Sequence, residues 1–146
     1  MATELITEAG IVLGSTASSP EEAVAQCGAL LVKLGATSHE YGAAMWEREQ
    51  LFSSAIGAGF AIPHGTGVSR AYVKFDQLVF LQLASPIKWG DEEVRCVLGI
   101  ASKGDGHVEI LGNMAELLQE DENLRIFHHS DSAQEILELI NSGGGE

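Results

Sequence analysis

Val94-Arg95-Cys96-Val97-Leu98-Gly99-Ile100-Ala101 is a strand-sized run with a single charged side chain. It is too apolar to leave alternate residues in water, so it reads as a strand buried on both faces. Residues 75–83 hold a second such run, apolar for most of Asp76 to Leu83. The segment between them, Ser85-Pro86-Ile87-Lys88-Trp89-Gly90-Asp91-Glu92-Glu93, is predicted as a loop with an acidic end. Upstream, Phe60-Ala61-Ile62 reads as a short buried strand. Pro63 ends it, because proline has no backbone donor for a ladder.

Helices are expected on either side of these strands. Ser19-Pro20-Glu21-Glu22 joins an N-cap, a proline at the first helical position and a capping-box glutamate. Apolar positions Ala23, Cys27, Leu30, Leu31 and Leu34 follow at helical spacing, and Gly35 stops the helix. A second helix is predicted from Ser38 to about Gln50, with Tyr41, Ala44, Met45, Arg48 and Leu51 or Phe52 on one face. Lys103-Gly104-Asp105-Gly106 breaks the chain before a third, whose stripe is His107, Ile110 or Leu111, Met114 and Leu118. Asp121 to His128 forms a short helix, and Ser132 with Glu135 caps a last one that buries Ile136, Leu137 and Ile140. Helices alternating with strands apolar on both faces define an α/β sandwich with helices on both sides of the sheet. With no internal repeat or linker, residues 1–142 read as one domain, and residues 143–146 as a flexible glycine-rich tail.

Composition narrows the function classes. The chain has 146 residues, 45% hydrophobic and 20% charged, enough to build a core without disulfides. Cys27 and Cys96 both fall in apolar patterns and read as small core residues. Eight basic against twenty-one acidic side chains give a net charge of −13. That charge repels nucleic acid and anionic lipid and attracts a basic protein partner. No segment has the apolar length of a bilayer span, and the first residues lack the pattern of an export signal, so a cytoplasmic protein without membrane insertion is expected.

Gly59-Phe60-Ala61-Ile62-Pro63-His64-Gly65-Thr66 carries the chemistry. Proline fixes the chain before His64 and glycines clear space around its ring, a setting that presents a nucleophile. Arg48, on a predicted apolar face, needs an anionic partner; its planar fork fits a phosphoryl group, or it forms a structural ion pair with Glu47 or Glu49. His107, in the first turn of a helix, lies where free amides and the dipole favour an anion, or it packs under a loop. His39, His128 and His129 sit at helix ends among polar residues and read as solvated. No HExxH helix or cysteine cluster suggests a metal, so a metal-dependent hydrolase using His64 and His107 lacks its carboxylate ligands.

Arg48-Glu49-Gln50-Leu51, then Ala61-Ile62-Pro63-His64-Gly65-Thr66, then His107 opening a helix, together resemble the enzyme IIA proteins of the bacterial mannitol/fructose phosphotransferase system. Trp89-Gly90-Asp91-Glu92-Glu93 is most similar to the mannitol branch. The resemblance implies a mixed sheet between helices, hence a three-layer sandwich. It implies that His64 accepts phosphate from the histidine phosphocarrier protein and gives it to a cysteine of a IIB domain, with Arg48 and His107 steadying the phosphoryl group. It also implies a covalent phosphoenzyme that requires no cofactor. Phe52 and Ala58 depart from the family pattern, which often has a small hydroxyl residue at the first position and a polar or acidic one at the second. A regulatory protein resembling the nitrogen-related IIA branch, whose phosphorylation state controls partner binding, would use the same histidine.

Overall fold

The computed structural model describes residues 6–104 and 106–144, with the backbone alone for residues 106, 107, 143 and 144. A five-stranded mixed sheet has the order β1-β4-β5-β3-β2, from β1 (Ile11–Ser15), β2 (Ala55–Gly57), β3 (Phe60–Ala61), β4 (Gln77–Trp89) and β5 (Glu92–Ala101). β1 runs parallel to β4 and β3 parallel to β5, while the β4–β5 and β2–β3 pairs are antiparallel.

Period-two alternation sends side chains of each central strand to opposite layers. On one face Val79, Leu81, Val97 and Ala101 pack with Ala23, Val24, Cys27 and Leu31 of α1 (Pro20–Lys33) and with Tyr41 and Met45 of α2 (Glu40–Leu51). On the other, Phe60, Phe80, Leu98 and Ile100 meet Ile110 and Met114 of α3 (Gly106–Leu117), Phe127 of α4 (Asp121–His129), and Ile136 and Ile140 of α5 (Ala133–Gly144). The chain is thus a single α/β domain with helices on both faces of a mixed sheet. Both cysteines are buried, and burial pushes the Cys27 thiol up to about 12.

Helix starts follow the local signals. The Glu22 amide donates to Ser19 Oγ at 3.2 Å and the Glu135 amide to Ser132 Oγ at 3.1 Å. The return arm of each predicted capping box reaches one or two residues further back, to Ser18 and to Ser130. α5 continues to Gly144, so two of the glycines assigned to a tail extend a helix backbone.

Two expectations change. The segment read as a loop is a β-hairpin: Ile87 pairs with Val94 and Trp89 with Glu92, and only Gly90-Asp91 turns the chain. Ile87 and Trp89 are buried on either side of exposed Lys88, a strand pattern that Pro86 masks. Pro86 is tolerated because it falls in the register break between Gln82 and Ile87, where no ladder bond is lost. In α2, the buried stripe is Tyr41, Met45 and Glu49; Arg48 is half-buried, while Leu51 and Phe52 are 65% and 69% exposed. β1 and β2 are elements that the sequence reading does not identify.

Candidate active site

His64 leaves β3 at the carboxyl end of its parallel pairing with β5, the side of an open α/β sheet where ligands gather. Although Pro63 cannot donate, its carbonyl accepts from the Ile100 amide at 3.0 Å, so the strand path persists to an isolated His64–Ile100 bridge. His64 Nδ1 lies 3.1 Å from the Ile62 carbonyl oxygen. A carbonyl only accepts, so Nδ1 carries the hydrogen and Nε2 of the neutral ring carries the lone pair. A rigid strand end therefore sets both the position and the tautomer of the half-buried ring.

Tyr41 holds the next residue. Its buried hydroxyl donates to the Ile100 carbonyl at 2.9 Å and accepts from the Gly65 amide at 3.0 Å. A Cβ at Gly65 would stand 2.6 Å from Tyr41 Cε1 and also meet Ser69 Oγ, so only glycine permits this approach. Burial pushes the Tyr41 phenol up, with the Gly65 bond and the charge of Arg70 opposing. The sequence places Tyr41 on an inward face, but nothing in it reveals the hydroxyl's two partners.

A cleft of about 450 Å³ opens over His64, lined by Gly65, Thr66, Tyr41, Arg48, Arg70, Phe52 and neighbouring residues. His64 and Arg48 thus line the same cleft. Among the described lining residues none is Asp or Glu, although the chain as a whole is strongly acidic. A second depression of about 530 Å³ between α1 and α2, lined by Ala25, Gly28, Gly42 and Trp46 among others, holds none of His64, Arg48 or Arg70.

Arg48 is anchored differently from the sequence reading. Its Nη1 donates to the Phe52 carbonyl at 2.7 Å, closing the C-terminus of α2, and its guanidinium lies 5.5 Å from the Phe52 ring centroid. Neighbouring Glu49 turns inward instead. It accepts from the Ser54 amide at 2.9 Å, Ser54 Oγ at 2.5 Å and Trp89 Nε1 at 2.8 Å. This carboxylate ties the end of α2 to the approach of β2 and to the β4–β5 hairpin, and so fixes the segment that carries Arg48 and Phe52. The i, i+4 continuation of Tyr41 and Met45 is the signal that could have found it.

The remaining histidines divide. His107 lies in the first turn of α3, but its side chain is outside the described residues. His39 is exposed at the N-cap of α2. His128, read as solvated, is half-buried: Nε2 donates to the Ala58 carbonyl at 2.9 Å, and the ring packs on Phe60. Ala58 itself has φ 58, so this bond holds a left-handed residue in the turn that leads into β3. Gly59 beside it leaves no room for a side chain, since a Cβ would lie 2.7 Å from His128 Cε1. Burial holds the His128 imidazole below its usual range. Among the described residues, no group of three or more His, Cys, Asp or Glu is arranged to hold a metal ion, and no helix is long and apolar enough to cross a membrane.

Residues 4–143 match the family described as "Phosphoenolpyruvate-dependent sugar phosphotransferase system, EIIA 2". The chain is 36% identical over 140 residues to the mannitol-specific phosphotransferase enzyme IIA component of Halalkalibacterium halodurans, covering 96% of this chain and 97% of that one. It superimposes with a TM-score of 0.88 and 31% identity on the IIA chain in a complex of mannitol enzyme IIA with phosphorylated enzyme IIB from Escherichia coli, covering 94% and 99% of the two chains. Crystalline mannitol IIA from Escherichia coli gives a TM-score of 0.86 at 32% identity, with 92% and 97% covered. By the extent of these matches, the chain belongs to the EIIA 2 family of the phosphoenolpyruvate-dependent sugar phosphotransferase system.

Proposed function

We propose that this protein is a cytoplasmic phosphoryl carrier. It accepts phosphate on His64 Nε2 from the histidine phosphocarrier protein and donates it to a cysteine of a cognate IIB domain, serving uptake and phosphorylation of mannitol or a related sugar. The observation that carries the reading is the combination at His64: an Nδ1–H held on the Ile62 carbonyl, and two arginines with no carboxylate among the described residues lining the cleft.

The neutral Nε2 attacks the phosphorus of a phosphohistidine donor in line with the breaking P–N bond, and the donor ring leaves with that electron pair. The His64 ring becomes cationic while Nδ1–H stays on Ile62, whose carbonyl dipole favours that charge. A IIB thiolate then attacks phosphorus, and Nε2 recovers its lone pair. Arg48 offsets the phosphoryl charge, as does His107 from the N-terminal turn of α3. The partners dock on exposed apolar side chains around the cleft, including Leu51, Phe52 and the 87% exposed Val68. The acidic surface steers a basic carrier toward them.

Incubation with phosphoenolpyruvate, the general phosphotransferase proteins and a IIB domain tests the reading. Mass spectrometry should map one acid-labile phosphoryl group to His64, absent in His64→Ala. A label on serine would overturn it.

A further inference from the structure

We propose that Arg70 is a second arginine that contacts the phosphoryl group on His64, alongside Arg48; this rests on the carrier reading above. A phosphoryl group carries roughly two negative charges and three strong acceptor oxygens, more than one guanidinium neutralises. Arg48 is partly committed, with Nη1 on the Phe52 carbonyl and its face toward the Phe52 ring. Arg70 is half-buried and lines the same cleft.

Its backbone is set by the segment that His64 itself begins. A short 3-10 helix, Val68–Tyr72, follows Gly67, and the Arg70 amide donates to the Gly67 carbonyl at 3.3 Å. Buried Ser69 locks the turn by donating from Oγ to the Thr66 carbonyl at 2.6 Å and from its amide to Thr66 Oγ1 at 3.2 Å. The Val73 amide then donates to the Arg70 carbonyl at 3.1 Å, and Val73 is bridged to Thr37 before α2. Arg70 thus stands on a braced turn six residues beyond the acceptor. Arg70 lines the cleft together with Tyr41, His64 and Gly65, and its positive charge acts on the Tyr41 hydroxyl, the atom that accepts from the Gly65 amide. Of eight basic residues against twenty-one acidic ones, two arginines line this one cleft, and a fork at each can engage separate phosphoryl oxygens.

The test uses the intact chain phosphorylated through phosphoenolpyruvate and the general phosphotransferase proteins. Arg70→Gln should lower the transfer rate at saturating carrier by about ten- to a hundredfold, within the range seen when one charge-stabilising donor is removed. Arg70→Lys should recover part of the rate, since it keeps the charge but not the fork. In the wild-type chain, phosphorylation should shift the Arg70 guanidinium nitrogen resonances, a readout that does not depend on how any variant folds. Normal labelling of His64 with an unshifted Arg70 resonance, or with an Arg70→Gln rate within twofold of wild type, would overturn the proposal and leave the carrier reading intact. Failure of the wild-type chain to take up label on His64 would overturn both.

Discussion

Replacing Tyr41 by phenylalanine keeps the buried ring and removes one hydroxyl, and with it the donor to the Ile100 carbonyl and the acceptor for the Gly65 amide. Each bond contributes about 0.5–1.5 kcal/mol net, so losing both from this partly buried site should cost the fold about 1–3 kcal/mol. In a domain of this size each kcal/mol lowers the melting temperature by roughly 2–4 °C, giving a drop of about 2–12 °C. Gly65 directly follows His64, the proposed acceptor, so loosening it should also free the His64 ring from its angle of attack. A misalignment worth about 1.4 kcal/mol at the transition state slows transfer about tenfold. Thermal melting paired with single-turnover phosphotransfer at 25 °C, where the variant stays folded, separates the two effects. A lowered melting temperature with an unchanged rate would show that the hydroxyl supports only the fold. No change in either would refute the reading of both bonds.

Arg48→Ala and His107→Ala should fold yet transfer about ten- to a thousandfold more slowly, and Arg48→Lys should also be impaired; full activity in all three would remove these residues from the site. His128 has a folded pKa below its unfolded value near 6.5, so its contribution to stability is complete above that pH. It is lost as pH falls from there through the lowered value, because the unfolded chain then binds the extra proton. Denaturation midpoints across pH 7 to 5 should therefore fall less steeply for His128→Gln than for wild type, and equal slopes would refute this. Added salt should slow phosphotransfer at limiting carrier more than at saturating carrier, because charges are screened beyond about 8 Å at physiological ionic strength. Asp91 in the β4–β5 turn and Glu92 and Glu93 at the start of β5 are exposed, outside the cleft, on the hairpin that Trp89 ties to Glu49. Neutralising all three should weaken the salt effect, and an unaltered rate and salt dependence would place the steering surface elsewhere.

What could be read from the sequence was local. Ser19-Pro20-Glu21-Glu22 starts a helix because a cap and its amide are three residues apart. The apolar runs ending at Leu83 and Ala101 had to be central strands, because no single solvated face could hold them. Pro63, which has no amide hydrogen to donate, marked the end of β3, although its carbonyl still pairs and the path runs on to the isolated His64–Ile100 bridge. The tertiary structure decided which polar atoms meet. Tyr41 reaches Ile100 across 59 positions, Glu49 reaches Trp89 across 40, and His128 reaches Ala58 across 70. No periodicity records such pairs. The same spacing that showed Tyr41 facing inward could not tell that its hydroxyl would brace the residue after His64, and it assigned Arg48 to a face that Glu49 occupies. A local pattern specifies how often a side chain turns inward. Which partner it finds there depends on how separate elements pack: in this fold the Ile62 carbonyl that sets the tautomer of His64 is a local contact, whereas the Tyr41 brace on Gly65 and the arginine-lined cleft come from that packing.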